Sequence, residues 1–196
     1  MKIIIDSGHG GSETGAFAFE MAEKDLNLIY ARALADQLEQ RGYEVDRSLI
    51  NDENYTSVQL TDMIKDSGAS LCISCHNNSY NGTARGFEVI YSIHSDGALA
   101  GYILEDIQKT GFNVRRSYSR ESSTYPGQDY YYVIRLTYPQ VETLIVEFGF
   151  MDNEEDFVLL TDPLWQGILT SSVAAAVSRY YPLVIRNCIK QGMIRG

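Results

Sequence analysis

Cysteine is scarce in this 196-residue chain: there are three, Cys72, Cys75 and Cys188. An odd set of this size does not build the disulfide framework of a small secreted domain. Positive charge is also short. Sixteen Lys and Arg face 26 Asp and Glu, for a formal net charge of −10. No basic excess exists to displace counterions from phosphates, so a nucleic-acid partner is not expected. Unaided adhesion to an anionic surface is disfavoured for the same reason. No apolar run reaches the roughly 18 residues that suggest a membrane span, so no membrane insertion is expected. The opening Ile3-Ile4-Ile5 gives way at once to Asp6-Ser7-Gly8. That stretch is too short for a signal peptide, and no small-residue cleavage site follows. The chain is therefore expected to be made in the cytoplasm without a secretory signal. Internal repeats and low-complexity segments are absent too.

What remains is enough for one core. Hydrophobic residues make up 44 % of the chain, which supports a single buried interior at this length. Residues 2–6 read as a buried strand ending at the glycine-rich turn Ser7-Gly8-His9-Gly10-Gly11. Leu26, Ile29, Tyr30, Ala33, Leu34 and Leu38 recur at helical spacing and predict a helix over 24–41, stopped by Gly42. Further strands are expected at 43–45, 71–75, 87–91, 130–135 and 143–147. Helices are expected at 56–66, 98–109, 153–160 and 163–181. Residues 117–129 read as a long surface loop. Strands alternate with helices, and their cores are continuous rather than alternating. That predicts an α/β fold, a mostly parallel twisted sheet flanked by helices on both faces, in one domain over 1–181. Residues 182–196 read as a C-terminal tail.

In such sheets ligands bind beyond the carboxyl ends of the strands. His9 follows the first strand, His76 follows the strand 71–75, and Glu147 ends the strand 143–147. Glu23 stands just before the first helix. Two histidines and one acid suit a catalytic zinc, which keeps one position open for water, and a further carboxylate then serves as general base. The candidate ligands are His9, Glu23 and His76, with Glu147 as the base. They are far apart in sequence, with no short motif such as HExxH. Glu13 and Glu20 lie in the same loop as Glu23 and could replace it. Cys75, next to His76, could supply a thiolate. Cys72-Ile73-Ser74-Cys75-His76 formally matches the CxxCH attachment motif of c-type haem, although both cysteines lie in an apolar strand and Cys72 reads as a small buried hydrophobe.

Three blocks carry a resemblance. The first is IIIDSGHGG (Ile3 to Gly11) with Gly15-Ala16 and EKDLNL (Glu23 to Leu28). The second is LCISCHNN (Leu71 to Asn78) with GFEVIYS (Gly86 to Ser92). The third is VIRLTYP (Val133 to Pro139) with IVEFGFMDNEED (Ile145 to Asp156). In this order they resemble the zinc-dependent N-acetylmuramoyl-L-alanine amidases. The resemblance implies hydrolysis of the amide between the lactyl group of N-acetylmuramic acid and the first L-alanine of the peptidoglycan stem peptide, in an endolysin or autolysin that acts on the cell wall. It implies Zn2+ held by His9, Glu23 and His76, and Glu147 as the catalytic carboxylate. Arg135 matches a recurring family arginine, which would orient Glu147 or hold a substrate carboxylate. Asn78 would cap the turn after His76 or bind the stem peptide. Tyr125, in the loop beside Pro126-Gly127, would touch glycan or peptide. Glu88 matches a frequent glutamate of structural or substrate role.

The chain departs from the family pattern in places. Ser7 stands where proline is frequent, Glu13 where aspartate is common, and Cys75 and Asn77 flank His76 where apolar or small residues are usual. The loop Ser117 to Gln128 looks longer than typical. None of these removes a candidate ligand. Two other readings remain open: a zinc peptidase cutting another peptidoglycan amide, and a non-catalytic wall-binding module of the same fold.

Overall fold

A computed structural model describes residues 1–183. The expected tail lies, beyond Leu183, outside the described residues. The elements run β1 Lys2–Asp6, β2 Phe17–Ala18, β3 Met21–Ala22, α1 Glu23–Gln40, β4 Glu44–Leu49, α2 Ser57–Asp66, β5 Leu71–Asn78, β6 Phe87–Ile90, α3 Ala98–Gln108, β7 Val114–Tyr118, α4 Tyr132–Thr137, β8 Glu142–Phe150, α5 Glu154–Leu160 and α6 Pro163–Tyr180. Six strands form one sheet in the order β4-β1-β5-β8-β6-β7, and β2 with β3 forms a separate hairpin. Neighbouring strands pair in parallel except β6 with β8.

Side chains of successive strand residues leave on opposite faces. Ile3, Ile5, Leu71, Ile73, Cys75, Leu144 and Val146 enter a large core with residues of α1, α3 and α6. Ile4, Cys72 and Ile145 enter a smaller core with Leu60 and Ile64 of α2 and Val133 and Ile134 of α4. Helices thus cover both faces. α1 presents Leu26, Tyr30, Leu34 and Leu38 to the sheet, with the Tyr30 ring stacked on Phe148 at 4.0 Å. Each such fully buried side chain contributes about 1.5–3 kcal/mol. Local signals fix the helix starts. Thr56 and Gln59 form a reciprocal capping box at α2, Asn153 caps α5, and Asp162 followed by Pro163 starts α6.

Several elements differ from the sequence reading. The expected strand over 130–135 is the short helix α4. Its β-branched residues favour a strand locally, but Val133, Ile134 and Thr137 fall on one helical face buried against α2 and β8. Residues 117–129 are loop only in part, because β7 reaches Tyr118. β5 runs on to Asn78 and β8 to Phe150, so His76 and Glu147 sit inside strands near their ends rather than past or at them. Cys72 and Cys75 belong to the two different cores, on opposite faces of the sheet. Two thiols so placed cannot both attach one porphyrin, which disposes of the haem motif. Among the described residues, no helix is long and apolar enough to cross a membrane.

Candidate metal centre

The turn after β1 is shaped by its glycines. Gly8 and His9 both take left-handed backbone, with φ of 43° and 60°. Ser7 anchors the turn by donating its hydroxyl to the carbonyls of Leu49 and Asn51 at 3.0 and 3.2 Å. A side chain at Gly8 would place its Cβ 2.5 Å from His76 Nε2 and 2.6 Å from the Cys75 carbonyl. Only glycine lets the turn approach β5 this closely. Gly10 and Glu13 then close the loop with paired backbone hydrogen bonds at 2.9 Å. The chain returns through the β2–β3 hairpin, whose turn residues Phe19 and Glu20 have φ of 46° and 65°. It delivers Glu23 as the first residue of α1, where a carboxylate is favoured by the helix dipole.

Glu23 stands between the two histidines. His9 Nε2 lies 3.4 Å from Oε2, and His76 Nδ1 lies 3.0 Å from Oε1. The three ligand atoms all lie within 4.8 Å of one another. Ligands about 2.0–2.2 Å from a tetrahedral zinc sit roughly 3.3 Å apart. Spacing and donor set therefore fit such an ion. Glu23 is buried, which works against its charge. Hydrogen bonds and positive charge from His76 and His9 nevertheless hold its carboxyl far below the usual range. Burial opposes protonation of His76, but Glu23 and the charges of Glu147 and Asp6 push it up to about 9. The backbone N–H of Ala16 also donates to Glu23 Oε2 at 3.0 Å.

Two asparagines hold these ligands from behind. Asn27 Nδ2 donates to the Gly8 carbonyl at 3.0 Å and to Glu23 Oε1 at 3.2 Å. Asn77 Nδ2 donates to Asn27 Oδ1 at 2.9 Å. Partners of this kind orient metal ligands. Sequence reasoning gave neither a role and noted Asn77 only as a departure beside His76. The available signal was a polar Asn27 inside the apolar stripe of α1, four residues after Glu23.

Glu147 is the cross-strand neighbour of His76 in the β5–β8 pairing. Its Oε2 is buried with no hydrogen-bond partner among the described residues. Burial foremost, then the charges of Glu23 and Glu88, push this carboxyl up to about 8, against the pull of His76. A cleft of about 770 Å³ opens beside the histidines, lined by Asp6, Glu13, Tyr55, Ser74, Tyr131 and Tyr132 among others.

The other candidates stand apart from this cluster. Glu13 lines the cleft and Glu20 is exposed at the hairpin tip. Cys75 is fully buried in the larger core and belongs to no metal-binding group of the described residues. Arg135 makes no ion pair with Glu147 in the structure. Its Nη1 donates to the carbonyls of Asp129 and Tyr130 at 2.7 and 2.8 Å, and its guanidinium lies over the Tyr125 ring at 4.7 Å. Arg135 thus braces the loop that carries Tyr125, which is half exposed. Asn78 donates to Glu88 Oε2 at 3.0 Å and accepts from the Ser79 N–H at 2.8 Å.

One consequence concerns Gly15, with φ of 65°. A Cβ there would meet Glu23 Oε2 at 2.5 Å and His9 Cδ2 at 2.7 Å. Gly15→Ala is expected to weaken binding of a divalent ion at this cluster at least about tenfold, the scale on which disturbed ligand orientation acts, and to cost about 1–3 kcal/mol of stability through backbone strain. Competitive titration with a chromophoric chelator measures the first and denaturant unfolding the second. Unaltered affinity would show that the ligand loop tolerates the extra methyl group.

Residues 3–179 match the family model described as N-acetylmuramoyl-L-alanine amidase. YqiI of Bacillus subtilis (strain 168), an uncharacterized protein, is 28 % identical over 182 residues, covering 91 % of this chain and 84 % of that one. LytH of Staphylococcus aureus, a probable cell wall amidase, is 29 % identical over 183 residues; the match covers 91 % of this chain but 58 % of LytH. Among solved structures, the N-acetylmuramoyl-L-alanine amidase AmiC2 of Nostoc punctiforme superposes with a TM-score of 0.80 at 25 % identity, covering 92 % of this chain and 97 % of that one.

Proposed function

Because the chain belongs to the N-acetylmuramoyl-L-alanine amidase family, we propose that it hydrolyses the amide between N-acetylmuramic acid and L-alanine in peptidoglycan, with zinc as its metal. The observation that carries this reading is the His9–Glu23–His76 cluster beside the unpartnered buried oxygen of Glu147.

His9, Glu23 and His76 would hold the ion. Bound there, zinc supplies a Lewis acid that polarises the amide carbonyl and acidifies water. The chain's own residues do the rest. Glu23 brings the negative charge of the donor set and positions both imidazoles. Asn27 and Asn77 keep Glu23 and the Gly8 turn in place. Glu147 takes a proton from the attacking water at Oε2 and returns it to the leaving amine. A positioned carboxylate can hold the proton between the two halves of that transfer. The cleft beside the histidines gives the substrate its approach.

Digestion of purified cell walls followed by mass spectrometry tests the bond assignment, with elemental analysis of the protein in parallel. Free lactyl groups and intact released peptides are expected, with about one zinc per chain. Cleavage within the peptide would instead mean a peptidase. Wall binding without release would mean a binding module.

The titration of the site has its own consequence. His76 and Glu147 are both pushed up, to about 9 and about 8, so without zinc the folded chain binds more protons than the unfolded one. Stability then falls as pH rises. The contribution of Glu147 is lost between about 4.5 and 8, and that of His76 between about 6.5 and 9. Metal ligation requires a neutral imidazole. Zinc uptake at pH 7 is therefore expected to release at least about one proton per ion. Calorimetry in buffers of different ionisation enthalpy measures this. Uptake at pH 7 with no proton release would contradict a protonated His76.

A further inference from the structure

Glu88 is fully buried on β6, and three side chains hold its carboxylate. Asn78 donates to Oε2 at 3.0 Å, Arg116 Nε donates to Oε1 at 2.8 Å, and Arg115 Nη1 donates to the same Oε1. Arg115 and Arg116 are consecutive in β7, and consecutive residues of a regular strand face opposite ways. Here the register slips. Phe87 pairs with Val114 and Glu88 with Arg116, which leaves Arg115 as an extra residue. Bulges are rare in parallel pairs, and those near active sites re-aim side chains. This one turns two adjacent guanidinium groups onto one acid.

One cation neutralises Glu88; the second is surplus. The arginine side chains remain 39 % and 51 % exposed. Arg115 lies over the Phe150 ring at 5.3 Å and Arg116 over Tyr118 at 4.2 Å, which fixes the planes of both forks. Each guanidinium carries five N–H donors, and Glu88 occupies one nitrogen of each. Edge strands do carry charges that discourage pairing with other chains. That purpose does not require two cations to converge on one buried carboxylate.

The register also places this pair relative to the reaction centre. His76 on β5, Glu147 on β8, Glu88 on β6 and Arg116 on β7 occupy successive paired positions across four adjacent strands. Strands lie about 4.8 Å apart, and paired positions share a face. The Arg116 backbone is therefore about 10 Å from that of Glu147. An extended peptide covers about 3.3–3.6 Å per residue, so a group two or three residues beyond the cleaved bond reaches the arginines. We propose that Arg115 and Arg116 form a subsite for a carboxylate carried by the second residue of the released peptide. The inference rests on the amidase reading above.

The test uses the zinc-loaded full chain and two synthetic N-lactyl tripeptide amides. They differ only in a free carboxyl or a carboxamide on the second residue. Wild type is expected to prefer the acid about tenfold in kcat/KM, the scale of one charge-assisted hydrogen-bonded pair. The preference resides in KM and shrinks as salt is raised. Arg116→Gln and Arg115→Gln pull the ratio toward one, and Arg116→Lys, which keeps the charge but loses the fork, restores part of it. Because loss of either arginine disturbs a buried acid, the wild-type ratio is itself decisive: equal hydrolysis of both compounds overturns the subsite and leaves the amidase reading standing. Calorimetric binding of the two free tripeptides, which needs no turnover, separates the converse case. Selective binding of the acid without hydrolysis supports the subsite while the amidase reading fails.

Discussion

Glu147→Gln is expected to lower kcat by about 10²–10⁴-fold, the range that positioned general acid–base groups supply, while zinc stays bound at the wild-type level. The substitution keeps size and polarity and removes only the ability to accept and return a proton. Glu147 is outside the ligand cluster, which consists of His9, Glu23 and His76, so the ion does not depend on it. The two acids whose charges act on it are engaged elsewhere. Both oxygens of Glu88 are already engaged by Asn78, Arg115 and Arg116, and Glu23 is committed to the histidines. Peptide release followed by mass spectrometry, with metal content measured on the same sample, checks both parts. Near-full activity in the variant would mean that another group moves the proton.

His76→Ala and His9→Ala are expected to lose metal and activity together, with turnover falling by more than about 10³-fold because both the Lewis acid and the acidified water disappear. The two should differ in stability. His76 has 20 % of its side chain exposed and His9 31 %. Removing His76 deprives buried Glu23 of its shorter contact, and breaking a buried pair by deleting one partner costs roughly 3–5 kcal/mol. His9→Ala should cost less. Denaturant unfolding in the presence of a chelator compares them without the contribution of the ion. A full complement of tightly held zinc in either variant would remove that histidine from the ligand set.

The candidate ligands were legible in part from two local rules, which frame His9 and Glu23, while His76 and the choice of Glu23 over Glu13 and Glu20 rested on the family resemblance. A buried strand run into Gly8-His9-Gly10-Gly11 announces a tight turn, and the stripe from Leu26 to Leu38 announces the helix that Glu23 begins. What hid from the sequence depends on partners distant in the chain. The Val133-Ile134-Arg135-Leu136-Thr137 segment has the composition of a strand and becomes helix because α2 and β8 cover one of its faces. β7, as VRRSY, carries two charges and no alternation. The hairpin β2–β3 turns on Phe19-Glu20, where a tight hairpin normally shows Asn-Gly or Asp-Gly. In the structure the Arg135 guanidinium is taken up by the carbonyls of Asp129 and Tyr130, at the end of the loop before α4, which neither spacing nor resemblance reveals. Neither the convergence of Arg115 and Arg116 nor the burial of Glu88 can be read without the register slip between β6 and β7.

Phe19 packs on Phe157 of α5 at 4.7 Å, and α5 follows closely on the strand that bears Glu147. The segment between the candidate ligands His9 and Glu23 is thereby in contact with the helix that follows Glu147, and a displacement of α5 is expected to be felt at the hairpin.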